Sequence, residues 1–546
     1  MVYPRCGGPP LRARRPAPVL SLLLLLLLAA AGCIQEFDLG VGAFEVGPRS
    51  AILWTHVVPA GPKPPLVRLT LEVATSPDFE RLVKRRSVMA KADDDYTVRA
   101  RVGGLAPATR YYYRFTGREA GFGAVESSSG SFRTAPDRGD GSPVRFVVSG
   151  DSNLGFTGPR GLDFFVLSGA AADDPDFFVY FGDTIYADSG VLPGGADAFT
   201  LEEYRQVHRL TRADPHLKTL LGSTGTFSGW DDHEIRNDYA GETVDPVQFA
   251  AGARAFFEYL PVRAFPSPAR PPYRTDRQVR WGRHVELFFL DGRQFRSAEQ
   301  FCNETLPDGP ETSDTLFSPF EEDEVIAAQF LPGPVLALAA PLLTPSDPEC
   351  VEALLADPGR TYLGVDQLER LKHALLASDA SFKIIINNTP LATLLFLPYD
   401  RWEGYLAERA ELVSFITQHL DPDRVLVLTT DFHTNLALRL PGFTELIVGP
   451  IGQNTFAAAV LAQLPPEAAL LGDLVLEQIE ELIDRANGGG VLLGSEPDAF
   501  AYGLIEVFED EGGEPRLRAT ARGDPQFADG ANDPARVVDL FSFEMP

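Results

Sequence analysis

Two hydrophobic rhythms divide the chain. Early on, apolar and polar residues alternate over Ala51–Val58, Val67–Val73, Tyr96–Val102 and Tyr111–Phe115. A period of two predicts half-buried strands of a β-sandwich. Beyond residue 143 the apolar runs are continuous instead: Val144–Val148, Phe177–Phe181, Val285–Leu290, Phe382–Ile386 and Val425–Leu428. Such runs suit a sheet covered on both faces. Helical patterns lie between them; Leu368, Leu371, Leu375 and Leu376 share one face of a helix that leads into the strand at Phe382. Strands alternating with helices predict an α/β architecture.

Other segments interrupt these rhythms. Residues 1–33 hold Arg5, Arg12, Arg14 and Arg15, then an apolar run from Leu20 to Ala31 and Ala30-Ala31-Gly32-Cys33. The run is short for a membrane span of about 20 residues, so it reads as a signal peptide. Its small residues ending in Cys resemble a bacterial lipobox, which implies lipidation of Cys33 and a membrane-anchored protein in the cell envelope, on its periplasmic or extracellular face. The alternative is an ordinary secretory signal with an incidental cysteine. An acidic, Pro-rich stretch at about 297–360 reads as an insertion. Its Cys302 and Cys350 are expected to form a disulfide in an oxidising compartment, or else to be buried thiols. Gly488-Gly489-Gly490 follows an amphipathic helix and lacks the partners of a phosphate loop, so a helix-ending turn is expected.

Composition narrows the function. With 23% charged and 45% hydrophobic residues the chain reads as folded protein. Its 76 acidic and 48 basic residues give a net charge of −28, which argues against a dedicated nucleic-acid binder. The 49 glycines and 45 prolines disfavour an all-helical fold.

The segment Val102–Phe115, with Gly130-Ser-Phe-Arg-Thr-Ala-Pro136 after it, resembles a fibronectin type III domain. In that fold a tyrosine ties a corner back to the backbone, a role open to Tyr111 or Tyr113. The expected organisation is a signal peptide at 1–33, a sandwich at 34–136, a linker at 137–143 and an α/β domain at 144–546. The sandwich is expected to position or shield its neighbour.

Chemistry-bearing residues gather where the apolar strands end: Ser149-Gly-Asp151, Gly182-Asp-Thr-Ile-Tyr186, Trp230-Asp-Asp-His-Glu234, Asn387-Asn-Thr-Pro390 and Thr430-Asp-Phe-His433. Ligands of α/β sheets collect at strand carboxyl ends. Oxygen donors with a histidine suit hard metal ions, and the number of donors suggests two. Singly, each segment reads as a turn or a satisfied loop; together they read as a site.

These segments resemble the metallophosphoesterase superfamily, and within it the PhoD-like alkaline phosphatase/phosphodiesterase family. Leu290-Asp-Gly-Arg-Gln-Phe-Arg296 and Trp402-Glu-Gly-Tyr405 extend the likeness. The resemblance implies a four-layer α/β/β/α sandwich behind the β-domain and hydrolysis of phosphate esters by a metal-bound hydroxide. It also implies that Asp183 bridges two ions, with Asp151, Tyr186 and His433 at the first and Asp232, Asn388 and Asp431 at the second. The expected ions are Fe³⁺ plus Ca²⁺, Mn²⁺ or Mg²⁺, with His233 as general acid. Two positions depart from the family pattern: Ser149 replaces an iron-ligating cysteine, and Thr430 stands where glycine is usual.

The acidic ligands and a Tyr186 phenolate would neutralise such a pair of ions, so a substrate anion is expected to need a further cation. Arg293 is the first candidate and Arg236 the second; the alternative for Arg293 is a structural pair with Asp291 or another acid. The expected substrate is a small phosphate ester or a phospholipid, and the expected state a monomer. A phospholipase D-like diesterase and a non-catalytic surface binding protein are the competing functions.

Overall fold

The computed structural model describes residues 31–61, 63–118, 123–155, 163–263, 271–298, 356–394, 401–463, 472–524 and 536–546. Two sheets, of nine and seven strands, form its centre. Three parallel strands, Val144–Ser149, Phe177–Phe181 and Gly225–Gly229, lie side by side in the nine-stranded sheet. Val285–Phe289, Phe382–Ile386 and Val425–Thr429 do the same in the seven-stranded sheet.

Alternation along each strand feeds two layers at once. Phe177, Val179 and Phe181 join Leu287, Phe289, Ile384, Ile386, Leu426 and Leu428 in the core between the sheets. Phe178 and Tyr180 face outward, into a second core with Leu217, Leu220, Phe249 and Phe256 from helices Pro215–Ser223 and Pro246–Tyr259. Across the molecule, Ile385 and Val427 meet helices Val365–Ala377, Leu406–His419 and Gly472–Ala486. Continuous apolar runs are thus explained by burial on both faces, and the order of layers is α/β/β/α.

The sandwich is less separate than its sequence suggests. One of its sheets carries Leu66–Ala74, Leu82–Lys91, Arg110–Arg118 and Gly130–Arg133. The strands Val41–Phe44, Ser50–His56 and Thr97–Gly103 instead complete the nine-stranded sheet, because Ala43 and Phe44 pair in parallel with Gly225 and Thr226. The segment 137–143 is also pinned: Asp137 pairs with Arg49 and Arg138 with Asp379.

Helix Leu201–Arg212 adds to this junction through a basic, buried face. Arg205 pairs with Glu258 at 2.7 Å and donates to the Asp93 carbonyl, and Arg209 pairs with Asp95. Arg212 lies 3.8 Å over the Trp54 ring.

Cys33, the expected lipidation site, is buried. It is 3% exposed and its sulfur is disulfide-bonded. The expected Cys302–Cys350 bond and nearly all of the 297–360 insertion also lie outside the described residues. The stems of the insertion meet, with the Ser297 N–H donating to the Thr361 carbonyl at 2.8 Å. Gly488–Gly490 forms the expected helix-ending turn, closed by N–H groups of Gly490, Val491 and Leu492 on the Asp484 carboxylate.

Of the two corner tyrosines, Tyr111 accepts the Ala106 N–H at 2.8 Å, whereas the buried Tyr113 hydroxyl has no partner. Tyr111→Phe is therefore expected to cost about 1–2 kcal/mol by orphaning a backbone N–H, and Tyr113→Phe to be neutral or stabilising. Urea unfolding of the two variants checks the order.

Candidate metal centre

Carboxyl ends of the central strands converge from both sheets. Asp151 follows Val144–Ser149, Asp183 follows Phe177–Phe181, and Asp431 follows Val425–Thr429. Asp151, Asp183, Asp431 and His433 all have left-handed backbone, at φ 54°, 49°, 71° and 51°. Non-glycine residues seldom adopt it, and the strain of such sites is borne by the surrounding fold. The turns need glycine for closeness: a Cβ on Gly150 would collide with the Phe181 and Gly182 carbonyls. The Thr430 side chain packs in this space, against Gly150 and Gly182, and leaves Asp431 at the site.

Three groups of side chains could each hold a metal ion: Asp151, Asp183 and His433; Asp183, Asp232 and His233; Asp231, Asp232 and Asp431. Within each group one ligand atom per residue lies within 4.8 Å of the others. Asp183 belongs to two of them. Tyr186 joins the first, its hydroxyl 2.9 Å from His433 Nε2.

Electrostatics favour a cation here. Burial, reinforced by neighbouring acids, pushes the Asp151 and Asp183 carboxyls well above the ordinary range. Asp151 Oδ2 is buried without a hydrogen-bond partner. Burial holds His433 down to about 3, as a neutral ligand should be. Burial would raise Asp232 as well, but Arg293 and His233 hold it below the usual carboxylate range. An orphaned buried carboxylate oxygen amid acids, a neutral imidazole and a phenol is a donor set that fits hard metal ions.

His233 is held on two sides. Its Nδ1 lies 2.6 Å from Asp188 Oδ1, whose second oxygen accepts the Asn237 N–H at 2.5 Å. The Tyr186 ring stacks on the imidazole at 4.0 Å. Burial lowers the His233 pKa, but Asp188, Asp183 and Asp232 outweigh it and lift it well above the ordinary value.

Several residues have roles that sequence reading missed or placed differently. Asp188 stands two positions past the Gly-Asp-Thr-Ile-Tyr segment, in a loop whose path residue spacing does not reveal. Glu234 is a brace, accepting the N–H and hydroxyl of Thr184 at 2.6 Å and the N–H of Asp231 at 2.9 Å. Asn388 links strand ends: its oxygen accepts the Gly292 N–H at 2.8 Å and its amide donates to the Trp230 carbonyl. Only the remaining lone pair of that oxygen is left for an ion. Ser149 donates to the Ala501 carbonyl at 3.1 Å and does not stand in for a thiolate.

Arg293, expected to meet substrate, has a side chain with 0% exposure. It grips both oxygens of Asp231, at 2.5 and 2.9 Å. The acid partner is Asp231 rather than Asp291. Arg236 is exposed just beyond His233.

A family model described as "PhoD-like phosphatase" matches residues 147–474, and one for the N-terminal domain of such proteins matches residues 29–136. The curated protein "Alkaline phosphatase D" of Bacillus subtilis is 26% identical over 438 residues, covering 74% of this chain and 65% of that protein. A solved structure titled "Structure of PhoD" superposes with a TM-score of 0.69 at 22% identity, over 93% of this chain and 90% of that one. A purple acid phosphatase from yellow lupin seeds gives a TM-score of 0.48 at 12% identity, over 94% and 73% of the two chains.

Because Asp183 is shared, Asp183→Asn is expected to lower metal uptake at both positions, and Asp151→Asn at one. Elemental analysis of the purified variants after metal loading reads the difference.

Proposed function

The chain belongs to the PhoD-like phosphatase family, and from that premise we propose that it hydrolyses phosphate esters with two metal ions. The carrying observation is that Asp183 belongs to two adjoining groups, the second of which includes Asp232 and the oriented His233. Asp151, Asp183, Tyr186 and His433 would hold one ion; this hard set suits Fe³⁺. Asp183, Asp232, Asn388 and Asp431 would hold the other, an all-oxygen set that suits Ca²⁺, Mn²⁺ or Mg²⁺. Ions held there would supply polarisation of phosphoryl oxygens and a water that is nucleophilic near neutral pH.

The protein's own groups supply orientation and a proton. Asp188 takes Nδ1 of His233, which leaves Nε2 to deliver a proton to the leaving oxygen. Stacking on Tyr186 fixes the plane of that ring. Asp231 and Glu234 flank the Asp232-His233 pair and are spent on Arg293 and Thr184, so the three acids and one histidine of this segment have separate duties. With Arg293 turned inward, Arg236, exposed three residues past His233, is the remaining candidate cation for a substrate anion.

We also infer export to the cell envelope from the arginine-rich, leucine-rich leader. Mass spectrometry of the peptide containing residue 33 from envelope fractions distinguishes a lipidated from a disulfide-bonded sulfur.

Release of p-nitrophenol from a phosphate monoester and from the bis diester tests the activity, and the ratio separates phosphatase from diesterase. His233→Ala is expected to lower kcat by about 10²–10⁴-fold with metal content unchanged, and Asp188→Asn to lower it less. Arg236→Ala is expected to raise KM more than it lowers kcat. Absence of release from a metal-loaded wild-type chain with either ester would sink the hydrolase reading for these substrates.

A further inference from the structure

Three carboxylates meet at one edge of the centre, yet one of them is committed to a partner. Asp231, Asp232 and Asp431 form a potential metal-holding group, and Asp231 would be a natural third acidic ligand for an ion held by the other two. Its oxygens are instead occupied by Nε and Nη2 of Arg293, in a pair with both side chains at 0% exposure. The same Nη2 lies 3.5 Å from Asp232 and 3.6 Å from Asp431. The root of Arg293 is anchored too. Its N–H donates to Asp291 Oδ1 at 3.2 Å, and Asp291 Oδ2 accepts the Thr275 hydroxyl at 2.5 Å. This guanidinium is built into the wall of the site and has no surface to offer a substrate.

Resting on the two-ion reading, we propose that Arg293 is a positioning residue that sets the charge preference of the second metal site. It engages both Asp231 oxygens, which weakens them as ligands for the ion, and adds one positive charge beside Asp232 and Asp431. Repulsion from that fixed charge grows with the charge of the ion. The pair therefore makes this a site for a divalent ion and disfavours a trivalent one. Neutralising Arg293 removes the repulsion and frees Asp231 as a third hard oxygen ligand, both of which favour a trivalent ion.

The test is equilibrium binding of Tb³⁺ and of Ca²⁺ to the full chain, with calorimetry resolving the second binding step and circular dichroism confirming the fold. Trp230, adjacent to Asp231 in the chain, provides a sensitiser for terbium emission. Arg293→Gln is expected to raise the second-step Tb³⁺/Ca²⁺ affinity ratio about tenfold or more. Asp231→Asn, which leaves the cation uncompensated, is expected to lower it. The double variant, neutral at both positions, is expected to return close to the wild-type ratio. A merely structural pair would alter stability and leave the ratio alone. If Arg293→Gln does not fold, the ratios of Asp231→Asn and the double variant decide. An unchanged ratio in folded variants of a wild type that binds two ions overturns this inference and leaves the hydrolase reading standing. A wild-type chain with no second binding step overturns both.

Discussion

Burial of like charge at strand ends is the constraint around which this molecule is organised. Asp151, Asp183, Asp231, Asp232 and Glu234 are all at most 2% exposed, and buried carboxylates repel one another strongly in a medium of low polarity. The structure compensates each differently. Asp231 has a guanidinium, Glu234 has hydrogen-bond donors, and Asp232 has Arg293 and His233 nearby. Asp151 retains an oxygen with no hydrogen-bond partner. Charge that the protein's own groups leave uncompensated is what gives a metal centre its affinity for cations.

The layered scaffold makes such crowding possible. Two sheets sealed by apolar side chains between them bring strand ends from each to the same place, and left-handed turns at Asp151, Asp183 and Asp431 aim the carboxylates. The β-sandwich takes part in this rigidity. Val41–Phe44 extends the sheet that carries Asp151 and Asp183. Helix Leu201–Arg212 grips the sandwich through its arginines and donates Tyr204 to the Ile235 carbonyl at 2.6 Å, two residues past His233. The sandwich thus reaches the acid-bearing loop through one helix.

Much of the fold was legible in one dimension. Period-two alternation marked the sandwich strands, unbroken apolar runs marked strands covered on both faces, and the leucine spacing at 365–376 marked its helix. These patterns are local, set by which faces of an element meet apolar neighbours. Asp151, Asp183, Asp431 and His433 were legible for the same reason, since each follows directly on an apolar strand. The residues that escaped notice are Asp188, Glu234 and Asp231, which lie in turns or beside better candidates and have meaning only through the partners they meet.

Sequence alone determined the chemical types available at the strand ends, the layered α/β class and the likeness to one family. Tertiary structure decided which way the polar side chains face. It turned Arg293 inward because Asp231, 62 residues away in the chain, offers a bidentate partner at the right place. It selected Tyr111 over Tyr113 and set Asp188 behind His233. For Arg293 and His233 the physical reason is the same. Hydrophobic periodicity is a property of neighbours along the chain, whereas the pairing of these buried charges depends on distant segments that only folding brings within bonding distance.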